Sequence, residues 1–329
     1  MNTTANGSSF SIYSSPIIPE ALKVGATVAY SLILVVSLVG NSLIELIVYK
    51  TSTLRKPINM LIANMAMSDL LYPIFFFPVR LAEAHVGSWP IGGTLGQALC
   101  KIHTFLSDVS SSVSIQSLVL ITVDRFVAVV IPLRSPLITR KLCPFFIVAA
   151  WIVAMAVLSP YLVAFKLVKY TEQLMCQRLW QEAFGGNTYA NYALAVAIVF
   201  FYIPFVLVVI LYSIIIIKLK MQAHPGEQSA QAEEQRTRRN RNVLKMATAI
   251  VVAFFICWIP FSCNWIIVSF SAPDSLIFSS SFYLYYIVTL FMAYANCAIN
   301  PIICLILSSN YRQALKRLVS CCAEDAVDD

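Results

Sequence analysis

Five charged side chains stand where charge is hardest to keep: Glu45, Asp69, Asp108, Asp124 and Arg125 each lie inside a long run of mostly apolar residues. Charge in such surroundings is costly unless paired, hydrogen-bonded or neutralised, and it is usually retained for a function. The chemistry open to these five is binding and switching rather than bond making. Asp124 and Arg125 are adjacent, which suits a carboxylate–guanidinium pair. Asp69 and Asp108 are lone carboxylates that need polar partners, a counter-charge or a proton at that depth. A hydrolase would need a convergent nucleophile and base, or a metal cluster. The three histidines, His85, His103 and His224, are scattered over loops and a helix end and form neither. No catalytic residues are expected, and the chain reads as a non-enzyme.

The elements that must position these side chains follow from composition. Of 329 residues, 59% are hydrophobic and 12% charged, against about 25% charged in an ordinary soluble domain. The apolar excess falls in seven runs, 25–49, 58–79, 102–131, 142–165, 192–217, 246–270 and 282–307. Each is long enough to cross roughly 30 Å of hydrocarbon as a helix. The fold class is therefore an all-α membrane protein, a seven-transmembrane helix bundle. Residues 1–24 form an N-terminal segment, 25–307 the helical domain, and 308–329 a cytoplasmic tail that begins with a short amphipathic eighth helix. Residues 222–241 read as a mobile polar linker, and residues 323–329 as a disordered acidic end. A transporter would show inverted repeats and Gly/Pro-interrupted helix pairs, and neither is found.

Basic residues set the orientation. Lys50, Arg55, Lys56, Arg134, Arg140, Lys141, seven basic residues in 218–245, and Arg312, Lys316 and Arg317 lie on one side. The other side has six, Lys23, Arg80, Lys101, Lys166, Lys169 and Arg178. This places the N-terminus outside and the C-terminus inside, and assigns the net charge of +7 to the inner, lipid-facing surface rather than to nucleic acid. Two glycosylation sequons, at Asn2 and Asn6, agree with that orientation, although such triplets also arise by chance. No cleavable signal peptide is read before the first span. Of nine cysteines only Cys100 and Cys176 fall in outer loops, so a disulfide between them is expected, with two free outer thiols as the alternative. Cys321 and Cys322 follow the amphipathic stretch Asn310 to Val319 and are candidate palmitoylation sites. A basic tail with unmodified cysteines is the other reading.

The apolar runs carry a signature each: Gly40-Asn41; Asn64 and Asp69; Cys100 and Asp124-Arg125-Phe126; Trp151; Pro204 with Tyr212; Phe254 with Cys257-Trp258-Ile259-Pro260; and Asn300-Pro301. In that order the chain resembles rhodopsin-like (class A) G-protein-coupled receptors from about Gly40 to Cys322. The resemblance implies a plasma-membrane receptor, with a heterotrimeric G protein, and arrestin as a further candidate, at the inner face. It implies a sodium ion and waters gathered by Asp69, Ser114, Asn296 and Asn300, with Asp69 as the metal-ligating carboxylate. A protonated Asp69 bonded to Asn41 is the alternative. It makes Ile115, Pro204, Phe254, Trp258 and Pro260 the conformational switch, and Asp124, Arg125 and Tyr212 the coupling residues. Two departures stand out. No acid is found among Asn240, Arg241 and Asn242, which predicts a weak resting lock. Cys304 replaces the family's tyrosine after Asn300-Pro301, and a thiol is too short and weak a donor to take over its role.

Retinal is excluded as a cofactor, because residues 282–307 contain no lysine and Tyr294 stands at the matching position. The amine-binding aspartate position is Ser107, with Asp108 next to it, which disfavours a biogenic amine. Cys176-Gln177-Arg178-Leu179-Trp180 is similar to neuropeptide receptors of the RFamide, galanin and tachykinin kind. A peptide ligand is therefore expected, with Gln97, Ser107, Asp108, Glu172, Glu182, Asn264, Trp265 and Tyr294 as candidate contacts. Residues 165–170 alternate as a hairpin strand would.

Overall fold

The computed structural model describes residues 20–131, 137–170, 172–186, 188–221, 230–270 and 280–325. Among them, seven helical stretches are long and apolar enough to cross a membrane, Lys23–Lys50, Pro57–Val86, Gly93–Val130, Cys143–Ala164, Tyr189–Met221, Asn242–Val268 and Leu284–Leu307. The first is α1 (Glu20–Lys50). The second is α2 (Pro57–Asp69), which passes through a wide turn at Tyr72–Phe76 into α3 (Phe77–Val86). The third is α4 (Gly93–Val130), and the fourth joins α5 (Cys143–Leu158) to α6 (Pro160–Ala164). A hairpin of β1 (Phe165–Tyr170) and β2 (Gln173–Arg178) and the short α7 (Trp180–Phe184) follow. The fifth span joins α8 (Tyr189–Ala197) through a second wide turn to α9 (Ile203–Met221); α10 (Ala230–Phe270) and α11 (Ser280–Leu307) complete the seven. The last helix, α12 (Ser309–Asp325), carries Tyr311, Ala314, Leu315 and Leu318 toward the bundle.

Prolines mark the irregular points. Pro73 lies in the Tyr72–Phe76 turn and Pro204 just beyond the Ile198–Tyr202 turn. There the widened i→i+5 ladder absorbs the bond that a proline cannot donate. Pro260 and Pro301 lie inside α10 and α11.

Apolar helices gain little from meeting one another in lipid, so close approach and buried hydrogen bonds must hold them. Gly40 supplies the closest approach: a Cβ there would stand 2.7 Å from Pro301 Cγ, so only glycine lets α1 lie against the kink of α11. Beside it Asn41 donates to the Cys297 carbonyl at 2.8 Å. Asn64 ties three spans, donating to Ser117 Oγ and accepting from the Trp151 indole, each at 2.9 Å. Tyr72 donates to the Ser107 carbonyl at 3.0 Å. Such interhelical bonds contribute on the order of 0.6 kcal/mol each, so the bundle rests on their number. By contrast α5 turns Phe145, Val148, Ile152 and Val153 outward as a lipid-facing surface.

Several element ends differ from the sequence expectation, including α1, which starts at Glu20, and α3, which runs to Val86. The helix of α4 starts at Gly93, ahead of the apolar run at 102, because it must carry Cys100 above the lipid. Residues 230–241 are helical, not linker: α10 extends its polar first turns beyond the membrane. Likewise α12 runs to Asp325, past the Val319 end of the amphipathic stretch.

Candidate functional site

Two polar regions and one apolar hinge emerge from this frame. The first region sits at the hairpin end. Cys100 and Cys176 form a disulfide, with 5.5 Å between their Cα atoms, which pins β2 to the top of α4. Two further fastenings hold the hairpin: Gln97 Oε1 accepts from Leu167 N at 2.9 Å, and Trp89 N donates to the Leu174 carbonyl at 2.7 Å. Gln97, a candidate ligand contact by sequence, thus uses its amide on β1. Glu172 pairs with Lys169 at 3.5 Å and Glu182 with Lys166, so both loop acids are engaged within the loop.

Beneath the hairpin, Asp108 stands within electrostatic reach of the phenols of Tyr72, Tyr161, Tyr189, Tyr192 and Tyr294. Its nearest influential cation is Arg178, the last residue of β2, whose guanidinium stacks 3.3 Å above the Tyr189 ring. No ion pair within 4 Å joins Arg178 to Asp108 among the described residues. Trp265 meets the edge of Tyr189 at 6.4 Å. Of the other candidates, Ser107 Oγ donates to the His103 carbonyl at 2.7 Å, buried Asn264 donates to Thr289 Oγ1 at 3.3 Å, and Tyr294 packs 4.2 Å from Phe76.

The second region lies midway through the bundle. Asp69 is buried and accepts from Ser114 Oγ at 3.2 Å and from Asn300 Nδ2 at 2.8 Å. Ser68, which sequence reasoning did not single out, joins at 3.0 Å from Ser114. Asn41 turns to α11 instead of Asp69, so the alternative pairing is not formed. Asn296 is 3% exposed, and its Oδ1 and that of Asn300 have no partner among the described residues. The structure thus brings Ser114 and Asn300 onto Asp69, while Asn296 makes no described contact with it.

Between the two regions lies the hinge. Ile115, Phe254 and Pro204 are buried, and Trp258 stacks 5.9 Å from Phe254 on the next turn of α10. The contact to α9 is made by Phe255, 4.6 Å from Phe205 and 5.9 Å from Phe201. Composition alone hides such rings, since aromatics abound in every span. Below the hinge Arg125 donates from Nε to Asp124 Oδ2 at 3.1 Å, and from Nη2 as well. Tyr212 is buried within electrostatic reach of Arg125. Cys304 is wholly buried beside Asn300 and Pro301. Tyr311 of α12 donates to Asn59 Oδ1 at 3.4 Å, and burial pushes its phenol well above the usual range. A cavity of about 830 Å³ opens at this end, with Thr51, Lys56, Asn242, Met246, Ser308 and Arg317 in its wall. Asn2 and Asn6 lie outside the described residues, as do the side chains of Cys321 and Cys322.

Residues 40–303 match the family model described as 7 transmembrane receptor (rhodopsin family), and the chain belongs to that family, one of signalling receptors rather than enzymes. Among curated relatives, it is 28% identical over 310 residues to the QRFP-like peptide receptor of Branchiostoma floridae, covering 93% of this chain and 80% of that receptor. It is 28% identical to the Allatostatin-A receptor of Bombyx mori over 87% of this chain and 77% of that protein. It is likewise 28% identical to Neuropeptide FF receptor 1 of Rattus norvegicus over 96% of this chain and 74% of that receptor.

Proposed function

We propose that this receptor binds an extracellular peptide at the hairpin end and passes the signal to a heterotrimeric G protein at the other. The observation that carries the reading is the polar and aromatic cluster beneath the hairpin. An acid, Asp108, lies within electrostatic reach of five tyrosines and of Arg178, whose guanidinium stacks on Tyr189. A peptide offers the matching combination of charge, aromatic surface and backbone polarity, whereas a small amine would use the acid alone. The relatives are named as receptors for peptides, which supports the same choice. The basic loops and the outer disulfide support a plasma-membrane orientation with the N-terminus outside.

Inside the bundle, Asp69, Ser114, Asn296 and Asn300 would hold a sodium ion, which would supply positive charge to a buried carboxylate in the resting state. Outward movement of the inner half of α10 about Pro260 would free Arg125 from Asp124 for the G protein, with arrestin as a second candidate partner at that face.

The test is a cell line with a G-protein reporter, challenged with peptide, amine and lipid libraries. At least one peptide should activate it, with Asp108→Asn weakening the response. Activity of amines alone, abolished by Asp108→Asn, would refute the peptide reading.

A further inference from the structure

Three buried nitrogen atoms at the hairpin end are without a partner among the described residues: Arg80 Nε, His103 Nε2 and Trp89 Nε1. They come from three elements, α3, α4 and the connection between them; two of the side chains meet the Phe76 ring and the third meets His103. His103 lies parallel to Phe76 at 4.7 Å and 7°, the Arg80 guanidinium stands 5.1 Å above the same ring, and Trp89 meets His103 edge-on at 5.7 Å. His103 and Trp89 are each 4% exposed, whereas the Arg80 side chain is 40% exposed. Arg80 is thus the member of the cluster whose side chain is partly exposed.

Arg80 Nε and Trp89 Nε1 are donors, and His103 Nε2 is a third in one of the two ring tautomers. Thr104 Oγ1 lies 3.3 Å from His103 Nδ1; with Nδ1 accepting from that hydroxyl, Nε2 carries the ring proton. Arg80 gives Nη1 to Glu83 at 2.9 Å. Its Nε–Nη2 edge lies outside that pair, and this is the edge that a carboxylate meets with two parallel hydrogen bonds. A carboxamide would bring one acceptor to that edge and point its own N–H groups at donors. Buried donors left unmatched are costly, so the cluster favours an acceptor-rich guest.

We infer that Arg80, His103 and Trp89 form a carboxylate subsite for the ligand. It is the counterpart, on the far side of α4, of the acid at Asp108, and it rests on the pocket reading above. The source is a free chain end or an acidic side chain; the shared chemistry is a carboxylate bound edge-on to a guanidinium. Glu83 shares Arg80's charge, so His103 and Trp89 must supply part of the hold.

The test uses purified full-length receptor in detergent and two probes, N-acetylphenylalanine and N-acetylphenylalaninamide, at equal ionic strength. The acid is expected to raise Tm by about 2–4 °C at ten times its dissociation constant, and the amide to do far less. Arg80→Gln should erase the difference. Arg80→Lys should keep part of it, and His103→Phe, which preserves the stacking on Phe76, should weaken acid binding several-fold. Glutarate in place of the chain-end probe separates a side-chain carboxylate from a terminal one. Equal shifts by acid and amide, no shift by either, or an acid shift surviving Arg80→Gln would overturn the inference. The probes report without a known agonist, so a silent peptide library would refute the peptide reading while this result stood apart.

Discussion

Asp69 accepts one hydrogen bond on each carboxylate oxygen, from α4 and from α11, so neither helix can slide without losing one. If sodium occupies the adjoining oxygens, the purified receptor should melt several degrees higher in sodium chloride than in choline chloride at equal ionic strength, and Asp69→Asn should abolish the difference. Identical melting in both salts would remove the ion from the account. Arg125 makes a second local statement. Its described partner is its own neighbour, Asp124, so Arg125→Ala should eliminate coupling while surface expression persists, and Asp124→Asn should raise ligand-free signalling. Asp69 was legible because a carboxylate is conspicuous in an apolar run, whereas Ser114 and Asn300 were reached through the family resemblance. Ser68 was not legible, because a serine in a helix usually bonds its own backbone, as this one also does to the Met65 carbonyl. Arg80 and His103 were hidden for another reason: basic and aromatic residues near span ends are ordinary, and only their convergence on Phe76 distinguishes them.

Helix contacts invite a different kind of test. Gly40 sits where a methyl group would collide with Pro301. Overpacking of this sort costs about 1–3 kcal/mol, so Gly40→Ala should lower Tm and Gly40→Val should reduce the yield of folded receptor further; unchanged melting of both would show that α1 has room to move. Gln97 is a clasp on β1 by its geometry. Gln97→Ala should therefore speed hydrogen exchange in Phe165–Tyr170, whereas a pure ligand contact would leave that exchange unaltered. All seven spans could be read from hydropathy, since crossing lipid demands an uninterrupted apolar run. Their ends could not: α4 and α10 continue into polar sequence because backbone hydrogen bonding, once begun, propagates beyond the lipid at little cost. The hairpin strand at 165–170 was readable from its alternation, while its partner's register depended on the disulfide at Cys176.

Taken whole, the molecule is a lipid-wrapped bundle with a charged, aromatic mouth at one end and a polar cavity at the other. An epitope at the N-terminus should be accessible to antibody on intact cells and one at the C-terminus only after permeabilisation; the reverse labelling would invert every inner and outer assignment. The hairpin over the mouth is held at three places, by Cys100, by Gln97 and by the backbone of Trp89. A collar fastened that way does not swing aside, so a bulky guest must thread past its rim on entering and again on leaving. Residence, more than affinity, then shapes the response: after washout the signal should outlast its stimulus, and mild reduction of the collar's disulfide should shorten that memory.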